Sequence, residues 1–346
     1  MVAAAQIPPL ALTPLALTMG DPAGVGGEIA LRAWAKRDAS TPAFFVIDDA
    51  ARLAALAQQF GIATPVAAVA SPAEASAVFA RALPVLKPDV PLATHVILGK
   101  PTSENAGAVI GAIDQAVKLA RSGAAGGIVT NPIHKAGLQS IGFAFPGHTE
   151  YLGHLAGGVA TIMMLAIEDL RVVPVTVHVA LKDVASALRS EAIVEAARVT
   201  ARALKQDFGI ASPRLAVAAL NPHAGEQGKM GGEEATIIAP AVAQLKAEGI
   251  AAAGPSPADT LFHAAARTRY DAALCMYHDQ ALIPLKTLDF ARGVNVTLGL
   301  PFVRTSPDHG TAFDIAAQGV ADPSSLLAAL RMAGDIAARR ARAKAA

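Results

Sequence analysis

The sequence is short of aromatic side chains, of charge and of cysteine. Only 4% of its 346 residues are aromatic and 16% are charged, while 53% are hydrophobic. A core must therefore be assembled mainly from Ala, Val, Leu and Ile, a composition that suits parallel strands covered by alanine-rich helices. The formal net charge is +1, so no basic surplus exists to hold nucleic acid or an anionic membrane. The single cysteine, Cys275, excludes an internal disulfide and fits a reducing cytoplasm. If Tyr277 and His278 continue its strand, Cys275 points away from His278 and packs. The first twenty residues carry no charged side chain. Pro8, Pro9 and Pro14 interrupt any helix there and no basic leader is present, which argues against a signal or membrane segment. Residues 1 to about 12 are expected to form a loose tail.

Strand-length apolar runs alternate with helical patterns: PLALTM, AFFVI, THVIL, GGIVT, TIMMLAI, VPVTVHV, RLAVAAL, AALCMY and VNVTL. That alternation predicts an α/β protein whose sheet is joined by crossover helices. Ser71, Pro72 and Glu74 form a helix-start signature, and Gly123 and Gly249 stand where helix-terminating glycines belong. The Ala/Arg-rich end, DIAARRARAKAA, is expected to be a solvated helix.

Three histidines, His178, His223 and His278, each close one of these apolar runs. Their spacing is too wide for a zinc finger, but a sheet that gathers strand ends at one edge would bring three neutral imidazoles to one divalent cation. The alternative for each is a hydrogen-bonded rim histidine. Four further segments carry polar chemistry in Gly/Pro-rich surroundings. MGDPAGVGGEIA, without GxGxxG or a P-loop, is either an anion-approaching backbone or a tight turn. TNPIHKAGLQSIGFAFPGHTEYL offers His148 and Thr149, with Glu150 as a helix-start charge and His134 and Lys135 explained equally well by exposure. NPHAGEQGKMGGEEA holds His223 among four glycines, with Glu233 and Glu234 opening a helix. The stretch from Pro257 to Asp314 adds Lys286, Asn295 and Arg304, which together would clamp a phosphate or carboxylate. In it Asp279 orients His278 or contacts the metal, and Asp259 orients substrate or caps a helix.

GDPAGVGGE, PGHTEYL, NPHAGE, PADT, MYHDQ, VNVTLGLPFVRTS and DHGTAFDIA, in this order from about Thr18 to Asp322, resemble the 4-hydroxythreonine-4-phosphate dehydrogenase family of pyridoxal phosphate biosynthesis. The resemblance implies two α/β/α lobes like those of isocitrate and isopropylmalate dehydrogenases, with a cleft between them and no Rossmann domain. One lobe would comprise residues 13–140 plus about 305–346, the other residues 141–304. It implies His178, His223 and His278 as ligands of Zn, Mg or Co, His148, Thr149, Lys286, Asn295 and Arg304 as substrate contacts, and His309, Gly310 and Asp314 as the loop binding NAD or NADP. It further implies a homodimer in which His178 of one subunit joins His223 and His278 of the other. The implied reaction is oxidation of 4-phosphooxy-L-threonine followed by decarboxylation to 3-amino-2-oxopropyl phosphate. Gly27, His134, Ala180 and Pro307 depart from the family's usual residues. Relatives acting on four-carbon sugar-acid phosphates or a dihydrodiol dicarboxylate remain alternatives, as do a metal-dependent aldolase or hydrolase and a non-catalytic phosphate-binding protein.

Overall fold

The computed structural model describes residues 13–345, so the expected tail lies outside the described residues. Twelve strands form one sheet: β1 (Leu15–Thr18), β2 (Phe44–Ile47), β3 (Val66–Val69), β4 (Leu83–Leu86), β5 (Ile128–Thr130), β6 (Ile162–Ile167), β7 (Leu170–Pro174), β8 (Arg214–Ala218), β9 (Ala251–Ser256), β10 (Ala272–Cys275), β11 (Val294–Leu298) and β12 (Arg304–Pro307). Their order is β3-β4-β2-β1-β5-β12-β11-β6-β7-β10-β8-β9. This is not a Rossmann order, and the sheet is mixed. The block from β3 to β12 is parallel throughout, as is the block from β7 to β9. Between them β12/β11, β11/β6 and β6/β7 pair antiparallel. Three reversals leave the two parallel blocks pointing in opposite directions.

Alternation along the strands decides what each face carries. On one face Leu15, Leu17, Phe44 and Val46 join Leu215, Val217, Leu274 and Val296 in a core that runs across both halves. The helices Gly26–Ala35, Ser190–Gln206 and Ser324–Ala345 cover it. The opposite face holds two separate cores. One gathers Ala16, Phe45 and Ile128 under the helix Ala106–Ser122. The other gathers Leu165, Val172, Ala216 and Cys275 under the helix His278–Leu288. The gap between them exposes the middle of the sheet, and a cleft results.

Several sequence expectations need correction. THVIL is not a strand, since residues 94–98 make only an isolated bridge from Ile97 to Lys100. The run VPVTVHV overshoots: β7 begins at Leu170 and ends at Pro174, whose ring removes a backbone donor. His278 does not continue β10 but opens a helix after Tyr277, so its relation to Cys275 is not one of strand alternation. Cys275 is nevertheless fully buried, and burial pushes its thiol pKa up. Ser71 donates to Glu74 at 3.1 Å, and Glu74 accepts from the Ala70 N–H at 3.2 Å, one residue before the expected partner. The Ala/Arg-rich end is helical, but Arg340 is held bidentately by the buried Asp207 at 2.7 and 2.8 Å and is not free in solvent. Among the described residues no helix is long and apolar enough to cross a membrane.

Candidate active site

The floor of the cleft is the middle of the sheet. Register puts Leu165, Asn295 and Ser306 side by side, and Arg304 beside Ile128, on the face where the two cores part. Around this floor lies a cavity of about 390 Å³ lined by His148, Thr149, His178, His278, Lys286, Asn295, Arg304, His309 and Gly310. Thr130, Asn131, Lys135, Glu150, Ser306 and Asp308 also line it. From the sequence, Lys135 is explained equally well by ligand contact or exposure and Glu150 by a helix start, and the others carry no mark of their own. Their signal was position: Thr130 ends β5 and Asn131 follows it, where α/β sheets collect ligands.

Arg304 is 3% exposed. It donates to Thr297 Oγ1 at 2.8 Å and Thr130 Oγ1 at 2.7 Å, while its Nε has no partner. Among the described residues no carboxylate pairs with it, and burial pulls its pKa down to about 10. It stays charged at neutral pH, offset only by the exposed carboxylate of Glu150, with which it forms no salt bridge, so the cleft holds a buried cation without a bonded partner, a costly state that an anion relieves. Lys286 differs, being paired with Asp308 at 3.3 Å. His148 has its Nε2 sealed without a partner, and burial, then Arg304 and Lys135, hold its pKa well below the usual value, so the ring is neutral. Asn131 Oδ1 and Asn295 Oδ1 are likewise buried and unpartnered. Four of the nine such atoms among the described residues lie in cleft-lining side chains, the pattern of a site awaiting polar groups from a ligand.

The three expected metal histidines follow adjacent parallel strands, His178 after β7, His278 after β10 and His223 after β8. The rings of His178 and His278 lie 6.3 Å apart between centroids, and His278 Nδ1 faces Asp279 Oδ1 at 2.7 Å. An Nδ1–H donating to Asp279 leaves the Nε2 lone pair for a cation. Burial, then Lys135, lower the His178 pKa, with Glu150 opposing, and favour the neutral ring a metal requires. His178 (φ 58°) and His223 (φ 52°) both hold left-handed backbone, which is strained for residues with a Cβ and clusters at functional sites. All-imidazole donors fit a borderline-soft divalent ion such as zinc. His223, however, does not line the cleft, and among the described residues of one chain no three His, Cys, Asp or Glu side chains approach closely enough to share a metal.

Asp259 and Asp314 are exposed, and neither they nor Asp279 line the cleft of this chain. His309 and Gly310 stand on the far side, beyond the end of β12. Across eight residues of helix, about 12 Å, His278 and Lys286 connect the imidazole end of the cleft to the end bearing Asp308 and His309. The MGDPAGVGGEIA loop packs against Thr311 beside that second end, and none of its residues lines this cavity. Val25 N–H donates to Thr311 O at 3.0 Å, and a Cβ on Gly24 would lie 2.7 Å from the same oxygen. Its glycines serve close backbone packing.

Fold and site define a class: a three-layer α/β protein with a mixed sheet and an anion-seeking, imidazole-edged cleft at its middle. Residues 40–333 match the family described as pyridoxal phosphate biosynthetic protein PdxA, and the chain belongs to that family. It is 56% identical over 333 residues to the 4-hydroxythreonine-4-phosphate dehydrogenase of Caulobacter vibrioides, covering 94% of this chain and 98% of that protein. The crystal structure of 4-hydroxythreonine-4-phosphate dehydrogenase from Klebsiella pneumoniae superposes with a TM-score of 0.84 at 39% identity, over 94% of this chain and 98% of that one. A terephthalate 1,2-cis-dihydrodiol dehydrogenase from Burkholderia xenovorans is more distant, with a TM-score of 0.62, 26% identity and coverage of 93% and 98%.

Proposed function

We propose that the protein oxidises 4-phosphooxy-L-threonine with NAD or NADP and that the resulting β-keto acid loses CO2 to give 3-amino-2-oxopropyl phosphate. The observation that carries the reading is the buried, unpaired Arg304 among unsatisfied polar atoms, taken with relatives named for this substrate. Arg304 and Lys286 bind the phosphate, since a guanidinium without a carboxylate partner gains most from an anion. Asn295 Oδ1, an acceptor lacking a donor, suits the substrate's ammonium group. Neutral His148 and Thr149 orient the hydroxyl-bearing carbon. His309, Gly310 and Asp314 are assigned to the dinucleotide.

His178, His223 and His278 would hold a divalent cation, and a homodimer would complete the set, His178 of one subunit joining His223 and His278 of the other. When bound, the cation supplies Lewis acidity at the reacting carbon's oxygen and the nicotinamide supplies the hydride acceptor. Asp279 keeps the His278 ring oriented, and Asp259 is assigned to the cleft completed by the second copy. In the proposed reaction the substrate's secondary alcohol would lose a hydride, for which the nicotinamide would be the acceptor, and a proton; the bond to the carboxylate would then break, a proton replacing CO2.

The test is an assay of purified protein with NAD against 4-phosphooxy-L-threonine, threonate 4-phosphate and a dihydrodiol dicarboxylate, with and without chelator. Reduced nicotinamide should accumulate fastest with the first substrate and stop with chelator. Preference for another substrate would move the protein to that branch of the family. Product without reduced nicotinamide would indicate an aldolase or hydrolase.

A further inference from the structure

His223 opens a stretch of backbone that L-amino acids avoid. From His223 to Gln227 every φ is positive, between 44° and 76°, although only Gly225 is a glycine. Left-handed backbone is strained for every residue bearing a Cβ, and such strain persists only where the surroundings over-determine it. The surroundings here converge on Glu234, which is 6% exposed. Its carboxylate accepts the N–H groups of Leu220 at 2.9 Å and Asn221 at 2.7 Å, and the Asn221 side-chain amide at 3.0 Å. Glu233 accepts from the same amide at 2.8 Å. Asn221 precedes His223 by two residues, so the entrance to the turn is pinned.

The turn also wraps the carboxylate closely. A Cβ on Gly225 would lie 2.6 Å from Glu234 Oε2, and one on Gly231 would overlap the Asn221 amide. Burial pushes the Glu234 carboxyl pKa up, but the donors from Asn221 and Leu220 outweigh it and hold the group ionised below its usual range. A second clasp ties this loop to the neighbouring histidine. Gln280, in the first turn of the helix that His278 opens, donates to Ala219 O at 2.7 Å and accepts from the Met276 N–H at 2.6 Å.

We propose that Glu234 is a positioning residue: it holds the left-handed turn that aims the His223 imidazole at the divalent cation. The proposal rests on the reading of His223 as a ligand of that cation. Residues that orient ligands in this way typically carry about 10- to 100-fold in metal affinity.

The experiment titrates Co2+ alone into metal-free full-length protein, reading affinity and the visible ligand-field spectrum, alongside the thermal melt of the metal-free protein. Glu234→Gln keeps the shape but loses the charge, and should weaken Co2+ binding about 10- to 100-fold and alter the spectrum while the melt stays near wild type. Asn221→Ala, which removes only the side-chain amide, should weaken binding by a smaller factor. Wild-type affinity and spectrum in Glu234→Gln overturn the proposal. So does collapse of the melting transition in both variants, which would make Glu234 a residue of the fold. His223→Ala separates the underlying reading: if it binds Co2+ like wild type, His223 is no ligand and the proposal falls with that reading.

Discussion

Replacing Arg304 by methionine should leave the ligand-free protein at least as stable as wild type while abolishing its response to phosphate. Burial pulls the guanidinium pKa down to about 10, well below its usual value. At about 1.4 kcal/mol per unit, that depression corresponds to a penalty of about 3 kcal/mol. The unfolded chain keeps its proton up to the higher value and the folded chain releases it from the lower. Stability therefore rises with pH only across that alkaline window, and the whole penalty is present at neutral pH. Against it stand two hydrogen bonds, to Thr130 and Thr297, worth about 1 kcal/mol each. The balance favours methionine by about 1 kcal/mol. Urea unfolding without ligand measures the first part, and the rise in melting temperature with inorganic phosphate measures the second. A ligand-free loss of more than about 2 kcal/mol would show that Arg304 is a structural residue. An undiminished phosphate response would show that the anion binds elsewhere.

His223→Ala should abolish turnover while leaving NAD affinity, measured by direct titration, within about twofold of wild type; retention of near-wild-type turnover sensitive to chelator would remove His223 from the reaction. Because the His148 pKa lies below its usual 6.5, the unfolded chain takes up a proton that the folded ring refuses. Stability should therefore fall as pH drops below about 6.5 and be indifferent to this group above it. His148→Gln should flatten that decline in urea midpoints compared across this range, and an unchanged slope would assign it to other groups. Gly24→Ala would place a methyl 2.7 Å from Thr311 O and should raise the KM for NAD several-fold more than that for the substrate. Equal effects on both would mean that the strain does not reach the 308–316 loop.

The alternation of strands and helices was legible because buried parallel strands are continuously apolar and the helices between them carry end signals such as Gly123 and Gly249. β12, with the sequence RTSP, was not legible. Its Arg304 and Thr305 are buried, but only because hydrogen bonds and a cleft await them, and hydrophobicity records neither. THVIL shows the converse, an apolar run with too few sheet partners to make a strand. The gathering of His148, Asn295 and Arg304 in one cleft was implied by the family resemblance, although His148 opens a helix and Asn295 lies within β11. The placing of His223 was not legible, since a left-handed run containing a single glycine has no compositional mark and is held by a distant glutamate. Lys135 and Glu150 were hidden for another reason: charges in the first turns of short helices look alike until the walls of a cavity are known.

The central claim is that imidazoles of His178, His223 and His278 meet at one cation in the assembled protein. Anomalous diffraction from crystals grown with zinc tests it most directly. The expected result is one peak per cleft with imidazole nitrogens of all three residues at about 2.1 Å. A peak ligated by other side chains, or three rings too far apart to share an ion even between neighbouring copies, would contradict it.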